Sequence, residues 1–161
     1  PESPTTCSFG LHLVVVEVDV ETGKIDILKY YVIDDCGIPV NPMTVYGQIH
    51  GAVMHGIGGT IYEHLYYDKE TGQLLASTFM DYLIPTEVDG PPKEFIIDHL
   101  ETPAKGLGGF KGMGEGGCIA SPPALVNAVE DALAPLGVKI TETPLSPEKI
   151  YKLIKAAKAS K

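Results

Sequence analysis

The sequence predicts an α+β fold, and three features carry that prediction. An alternating, β-branched pattern opens the chain as a hairpin, a long helical stripe follows, and two amphipathic helices close it. The order strand–strand–helix–strands–helix–helix lacks the regular alternation of a doubly wound sheet, so antiparallel or mixed sheet elements packed with two or three helices are expected. The chain has 161 residues, of which 44% are hydrophobic, enough for a single domain with its own core.

His12 to Val20 (HLVVVEVDV) reads as the first strand, and Glu21-Thr22-Gly23-Lys24 as a turn. Ile25 to Ile33 (IDILKYYVI) returns as the second strand of an antiparallel hairpin. Asp34 and Asp35 follow beside Cys36-Gly37. Adjacent residues on an extended segment face opposite ways, which argues against a paired-carboxylate site. Solvent-facing or backbone-capping roles are expected for both.

Met43 to Tyr62 contains no formally charged residue and is long enough to raise a membrane span. Gln48, His50, His55 and five glycines argue against one, as does the lack of basic flanks. Val45, Ile49, Val53, Ile57, Ile61 and Leu65 recur every fourth residue, so a buried helix of a soluble protein is expected. Each interior glycine costs about 0.8–1.0 kcal/mol relative to alanine. Gly47, Gly51, Gly58 and Gly59 therefore suggest another backbone, or a cofactor, lying tightly against that helix. Gln48 has two readings: a buried amide bonded to nearby carbonyls, or a ligand contact. His50 and His55 are five residues apart and do not share a face, so no histidine metal site is expected.

Tyr66 to Leu75 reads as two short strands about the turn at Asp68-Lys69-Glu70-Thr71-Gly72. Ala76 to Thr86 is partly extended, with Asp81 bonded within a turn, and 88–93 is a Pro/Gly surface loop. Glu94 to Leu100 (EFIIDHL) is a third strand candidate, aimed at a glycine-rich stretch. Ser121 reads as an N-cap with Pro122 at the first helical position. Leu125, Val126, Val129 and Leu133 form the apolar face of that helix, which Pro135-Leu136-Gly137 ends. Val138 to Thr141 reads as short and extended. Ser146-Pro147 caps a last helix with Ile150, Leu153, Ile154 and Ala157 inward.

The chain is organised around Lys105 to Ala128, KGLGGFKGMGEGGCIASPPALVNA. So many glycines in a packed domain imply positive φ angles or close backbone approach. Glu115, between Gly114 and Gly116, is an acid that could project into a cavity without crowding. Gly112, Gly114 and Gly117 fit G-x-G-x-x-G, but no hydrophobic strand leads directly into them, and Glu115 would repel a pyrophosphate. A P-loop needs Gly-Lys-Ser/Thr, which is missing. Lys111 lies four residues before Glu115, but the intervening glycines make a helical pair doubtful; it is expected to anchor the loop through carbonyls or an acid. Cys118 has no base nearby and is expected to be a small packed residue.

Net charge is −9 with only 12 Lys and Arg, so no basic stripe invites nucleic acid. The three cysteines, Cys7, Cys36 and Cys118, lack C-x-x-C spacing, which disfavours zinc, iron–sulfur ligation and a disulfide framework and points to a reducing cytoplasm. The chain begins at Pro1 without a signal core, and a piece of a longer polypeptide is expected.

KGMGEGG followed by SPPALVNAVEDAL resembles the C-terminal part of the molybdenum-binding large subunit of the molybdenum hydroxylases, the family of xanthine dehydrogenase, aldehyde oxidoreductase and aerobic carbon monoxide dehydrogenase. DDCGIPVNPMTVYGQIHGAVMHGIGGTIYE and FMDYLIPT are similar to it too, and the wording is nearest the carbon monoxide dehydrogenase-like branch. The resemblance implies a molybdenum-pterin oxidoreductase acting on an aldehyde, a heteroaromatic carbon or carbon monoxide. It implies Glu115 as catalytic base beside the molybdenum, with Gln48 against the pterin and Lys111, Gly112, Met113 and Gly114 as the loop around it. It implies no protein metal ligands, the pterin dithiolene holding the molybdenum. It also implies the rest of the large subunit as partner, FAD and [2Fe-2S] on other subunits or domains, and an oligomeric assembly. The copper-containing subtype stays open, because the segment that would carry its cysteine lies outside this chain. A noncatalytic assembly or interaction domain of the same fold is the alternative.

Overall fold

A computed structural model describes residues 6–90, 92 and 94–159. The mixed α+β architecture matches the expectation. Strands β1 (Phe9–Val18) and β2 (Ile25–Asp35) form the antiparallel hairpin, and β3 (Glu94–His99) joins β2 in parallel, giving the order β1-β2-β3. Parallel pairing requires a crossover, which α1 (Pro42–Ile57), a π-helical turn (Gly58–Tyr62) and a long irregular segment supply. Three further helices follow: the single turn α2 (Gly116–Ile119), then α3 (Ser121–Leu133) and α4 (Pro147–Ala159).

All of the packing against the helices is on one face of the sheet. Tyr30 and Val32 of β2 meet Ile49, Val53, Ile57 and Ile61 from the crossover and Leu125 of α3. The other end of α3 continues into a second cluster, where Val129 and Leu133 pack with Val138, Leu145, Ile150 and Ile154. Each helix is thus amphipathic on the stripe read from the sequence. A 3₁₀ turn at Ala134–Leu136 and the left-handed Gly137, at φ 78°, end α3 at the expected place.

Several expectations need correction. The stripe on α1 is real, but the helix is buried on one face only, with Met43 79% exposed and Gln48 exposed; Leu65, the last residue of the expected stripe, lies beyond the helical segment and is 53% exposed. Positions where a Cβ would sit on Gly47, Gly51 and Gly59 are open, so among the described residues no backbone lies against them. The close approaches are at Gly56, where a Cβ would sit 2.3 Å from that of Ser121, and at Gly58, 2.3 Å from the Glu63 carboxylate. Tyr66 to Leu75 forms only a single bridge, Tyr67 to Leu74, and Val138 to Thr141 forms no strand. Asp81 does bond within its turn, accepting from Thr78 Oγ1 at 2.8 Å. The 88–93 loop includes positions 91 and 93, which lie outside the described residues.

Candidate functional site

The glycine-rich stretch wraps around one end of the sheet. On the outer face, Lys111 Nζ lies 3.2 Å from Asp35 Oδ1 and donates to Thr102 Oγ1 at 2.6 Å. The Thr102 hydroxyl in turn donates to Asp35 Oδ2, and the Gly37 N–H donates to Asp35 Oδ1 at 2.7 Å. Burial works against charge on Asp35, but these donors prevail and hold its carboxyl down to about 2. Asp35 does cap backbone, as expected, yet neither it nor Asp34 faces solvent: their exposures are 0% and 2%. The cause is the loop itself, which folds back over the end of β2 from more than sixty residues away.

On the inner face, Asp34 meets Gly116, whose Cβ would sit 2.9 Å from Asp34 Oδ1; Gly10 stands in the same relation at 3.0 Å. Asp34 Oδ2 is enclosed with no hydrogen-bond partner among the described residues, and burial pushes its carboxyl up. The two consecutive acids thus meet the loop from opposite sides of the sheet, Asp35 bonded to it and Asp34 packed against it.

Beyond Gly116 the loop is fastened to the core. Ser121, expected as an N-cap, is instead the first residue of α3 and wholly buried. Its hydroxyl donates to Gly117 O at 2.7 Å and accepts from Tyr30 Oη at 2.9 Å; His12 Nδ1 lies 2.9 Å from the same phenol. Burial raises the Tyr30 phenol to about 12, so it stays a donor. A Cβ on Gly117 would sit 2.8 Å from Ile49 O, which brings α2 directly onto α1.

Glu115 stands at the turn so formed. Its carbonyl accepts from Cys118 N at 2.9 Å and Ile119 N at 3.2 Å, fixing its backbone as the start of α2. Its side chain is exposed, and no hydrogen bond or ion pair to a described residue holds the carboxylate. It borders a hollow of about 390 Å³ lined by Phe9, Gly10, Gly112, Met113, Gly114 and Gly116, among others. Gln48, on the exposed side of α1, donates Nε2 to Gly114 O at 2.8 Å, so the loop residue next to Glu115 is tied to that helix. Gln48 borders a second, more apolar hollow of about 420 Å³ with Ile38, Val40, Val45, Phe110 and Met113.

The structure therefore gathers Gln48, Gly112, Met113, Gly114 and Glu115 on one surface, with Met113 and Gly114 lining both hollows. The bland reading of Gln48 holds in part: its amide is bonded to a carbonyl, but it is exposed rather than buried. Lys111 lines the second hollow, while its ammonium turns inward to Asp35 and Thr102, as a loop anchor would. Sequence reasoning missed Thr102 and Tyr30, whose partners are 67 and 91 residues away.

Cβ positions on Gly112 and Gly114 meet nothing within 4 Å, leaving bare backbone beside both hollows. Among the described residues no three His, Cys, Asp or Glu side chains are placed to hold a metal ion. No helix among them is long and apolar enough to cross a membrane.

Residues 1–91 match the family described as "Molybdopterin cofactor-binding domain". The chain is 45% identical over 149 residues to the nicotine 6-hydroxylase large subunit of Paenarthrobacter nicotinovorans, covering 92% of this chain and 18% of that subunit. It is 37% identical over 151 residues to the carbon monoxide dehydrogenase large chain of Hydrogenophaga pseudoflava, covering 93% and 18% respectively. Among solved structures, quinoline 2-oxidoreductase from Pseudomonas putida 86 superposes with a TM-score of 0.85 at 46% identity, over 89% of this chain and 18% of its own. Reconstituted carbon monoxide dehydrogenase from Oligotropha carboxidovorans gives 0.89 at 30% identity, over 96% and 19%. The chain thus spans under one fifth of the length of these relatives.

Proposed function

We propose, from the premise that the chain belongs to the family of molybdopterin cofactor-binding domains, that it is one part of a molybdenum-pterin oxidoreductase. In this reading it is the C-terminal segment of a large subunit that oxidises or hydroxylates an aldehyde, a heteroaromatic carbon or carbon monoxide. Iron–sulfur and flavin groups sit on partner subunits or domains. When bound, the cofactor supplies the metal and the two-electron redox couple; the residues of this chain supply position and proton handling.

The observation that carries the reading is the junction of Gln48 with the Glu115 loop through Gly114 O. With its N–H engaged there, the Gln48 amide keeps its oxygen to accept from a pterin N–H. Gly112 and Gly114 let the pterin lie against backbone, with Met113 between them. Lys111 holds this platform from beneath. Glu115 takes the proton released as substrate is oxidised, its backbone fixed by α2 and its carboxylate left without a competing partner. General-base help of this kind contributes about 10²–10⁴-fold.

The test is Glu115→Gln in the complete enzyme. Turnover falls about 10²–10⁴-fold while molybdenum content by metal analysis stays at the unmodified level. Undiminished turnover removes Glu115 as the base. The chain alone is expected to show neither turnover nor tight pterin binding, and recovery of a molybdenum-loaded, active protein from it would overturn the division of the site between this chain and further polypeptide.

A further inference from the structure

We propose that His12, Tyr30 and Ser121 form a buried hydrogen-bond chain that positions Glu115, acting on its turn through the Gly117 carbonyl; the inference rests on the reading of Glu115 as the base. The turn has little of its own to hold it. Gly112, Gly114, Gly116 and Gly117 bring no side chains to pack, and the Glu115 carboxylate has no partner among the described residues. Two side chains fasten the turn instead, one on each side of Glu115. Gln48 Nε2 donates to Gly114 O at 2.8 Å, and Ser121 Oγ donates to Gly117 O at 2.7 Å. The first bond is exposed and competes with water, whereas the second is buried, so the second is the firmer pin. Gly117 also stands directly on α1, since a Cβ there would sit 2.8 Å from Ile49 O.

Counting hydrogens fixes the direction of the chain. Ser121 has one hydroxyl hydrogen and gives it to Gly117 O, so it accepts from Tyr30 Oη at 2.9 Å. Tyr30 spends its own hydrogen there, so its 2.9 Å contact with His12 Nδ1 needs the hydrogen on the imidazole. His12 is therefore the Nδ1–H tautomer, which leaves Nε2 as a bare acceptor, enclosed without a hydrogen-bond partner among the described residues. Burial lowers the His12 pKa, which keeps the ring neutral. All three hydrogens thus point one way, toward Gly117 O, and each bond polarises the next. Through them the two strands of the hairpin set the place of a turn that follows 90 or more residues later in the chain, Ser121 lying 91 residues from Tyr30 and 109 from His12.

The test follows the complete enzyme by turnover and by hydrogen–deuterium exchange of residues 116–120, where the Cys118 and Ile119 amides donate to Glu115 O. Ser121→Ala lowers kcat by up to about 10²-fold at an unchanged KM, as a displacement of about 1 Å at a reacting group does. It also speeds exchange of those amides about ten-fold, the effect of losing one buried hydrogen bond. Tyr30→Phe does less on both counts, because it leaves the Ser121–Gly117 bond in place and His12 Nδ1 3.5 Å from Ser121 Oγ. His12→Asn, whose amide N–H replaces Nδ1–H, does less than His12→Leu. Ile154→Val loses packing in the second cluster, away from the turn, and lowers the melting midpoint while moving neither readout. Unchanged kcat for Ser121→Ala beside a Glu115→Gln enzyme that has lost turnover overturns the proposal. So does an Ile154→Val enzyme that behaves like Ser121→Ala, because the effect is then lost stability and not lost position. A silent Glu115→Gln overturns the reading of the base instead. Accelerated exchange in Ser121→Ala still supports the chain as what holds the turn in that case, and unaccelerated exchange overturns it too.

Discussion

Lys111→Met is the most informative single change, because it removes one member of a pair sealed inside the protein. Side-chain exposure is 8% for Lys111 and 0% for Asp35, at 3.2 Å. Losing one partner of a buried ion pair costs about 3–5 kcal/mol, since the remaining charge keeps its desolvation penalty. For a domain of this size each kcal/mol shifts the melting midpoint by roughly 2–4 °C, so Lys111→Met lowers it by roughly 6–20 °C. Asp35→Asn in the same background restores part of the loss, because the uncompensated anion is gone; the cycle of four proteins isolates the coupling. The pH profile gives an independent check. A carboxyl held at about 2 in the fold, below its ordinary value of 3.8, contributes stability above the unfolded pKa. That contribution, about 2 kcal/mol, is lost as pH falls from about 4 to about 2. Asp35→Asn abolishes the slope in that window. Differential scanning calorimetry of the four proteins between pH 2 and 7 reads both effects. A midpoint for Lys111→Met within a degree or two of the unmodified chain would refute the claim that this pair is buried and holds the loop.

Two further predictions concern packing. Gly56→Ala forces a Cβ to within 2.3 Å of Ser121 Cβ and costs about 1–3 kcal/mol by overpacking, whereas Gly51→Ala enters open space and gains up to about 1 kcal/mol; urea titrations that rank them the other way would contradict the α1–α3 contact. Ser121→Ala removes one of the two partners of the Tyr30 hydroxyl, leaving it His12 Nδ1, and strips Gly117 O of its buried donor, and costs about 1–3 kcal/mol. A double-mutant cycle with Tyr30→Phe reads the coupling of the two hydroxyls, and strict additivity would mean that His12 Nδ1 alone holds the phenol.

Much of the fold was legible from period alone. Alternation gave the hairpin and β3, and the four-residue recurrence from Val45 to Ile61 gave α1 and its continuation. Long-range approach was not legible. Gly56, Gly47 and Gly51 look alike in one dimension, and only the seat of Ser121 in the folded core separates the first from the others. Asp34 and Asp35 read as surface acids because their cover, Thr102, Lys111 and Gly116, comes from distant positions. Ser121 before Pro122-Pro123 has every mark of a cap, yet its hydroxyl finds Tyr30 and Gly117 first. At the site, Glu115 and the bare glycines were evident as a pattern, and Lys111 read as a loop anchor to carbonyls or an acid, of which the fold supplies the acid, Asp35. The bond from Gln48 to Gly114 was not foreseeable, since it joins residues 66 apart.

The central strand ends in two neighbouring carboxyls that face the loop from opposite sides, one bonded to it and one packed against it, and this constrains how the gene can vary. Side chains on a strand alternate, so adding or deleting one codon within Ile25–Asp35 upstream of the acids would exchange their faces. The ion-paired carboxyl would then be thrust among Tyr30 and Val32's neighbours, while Lys111 would confront the partnerless one. Length changes should therefore be absent from the strand that ends beside the loop, and the turn that feeds it is closed to them as well, because the left-handed Gly23 is buried against Pro147 and Tyr151 of α4.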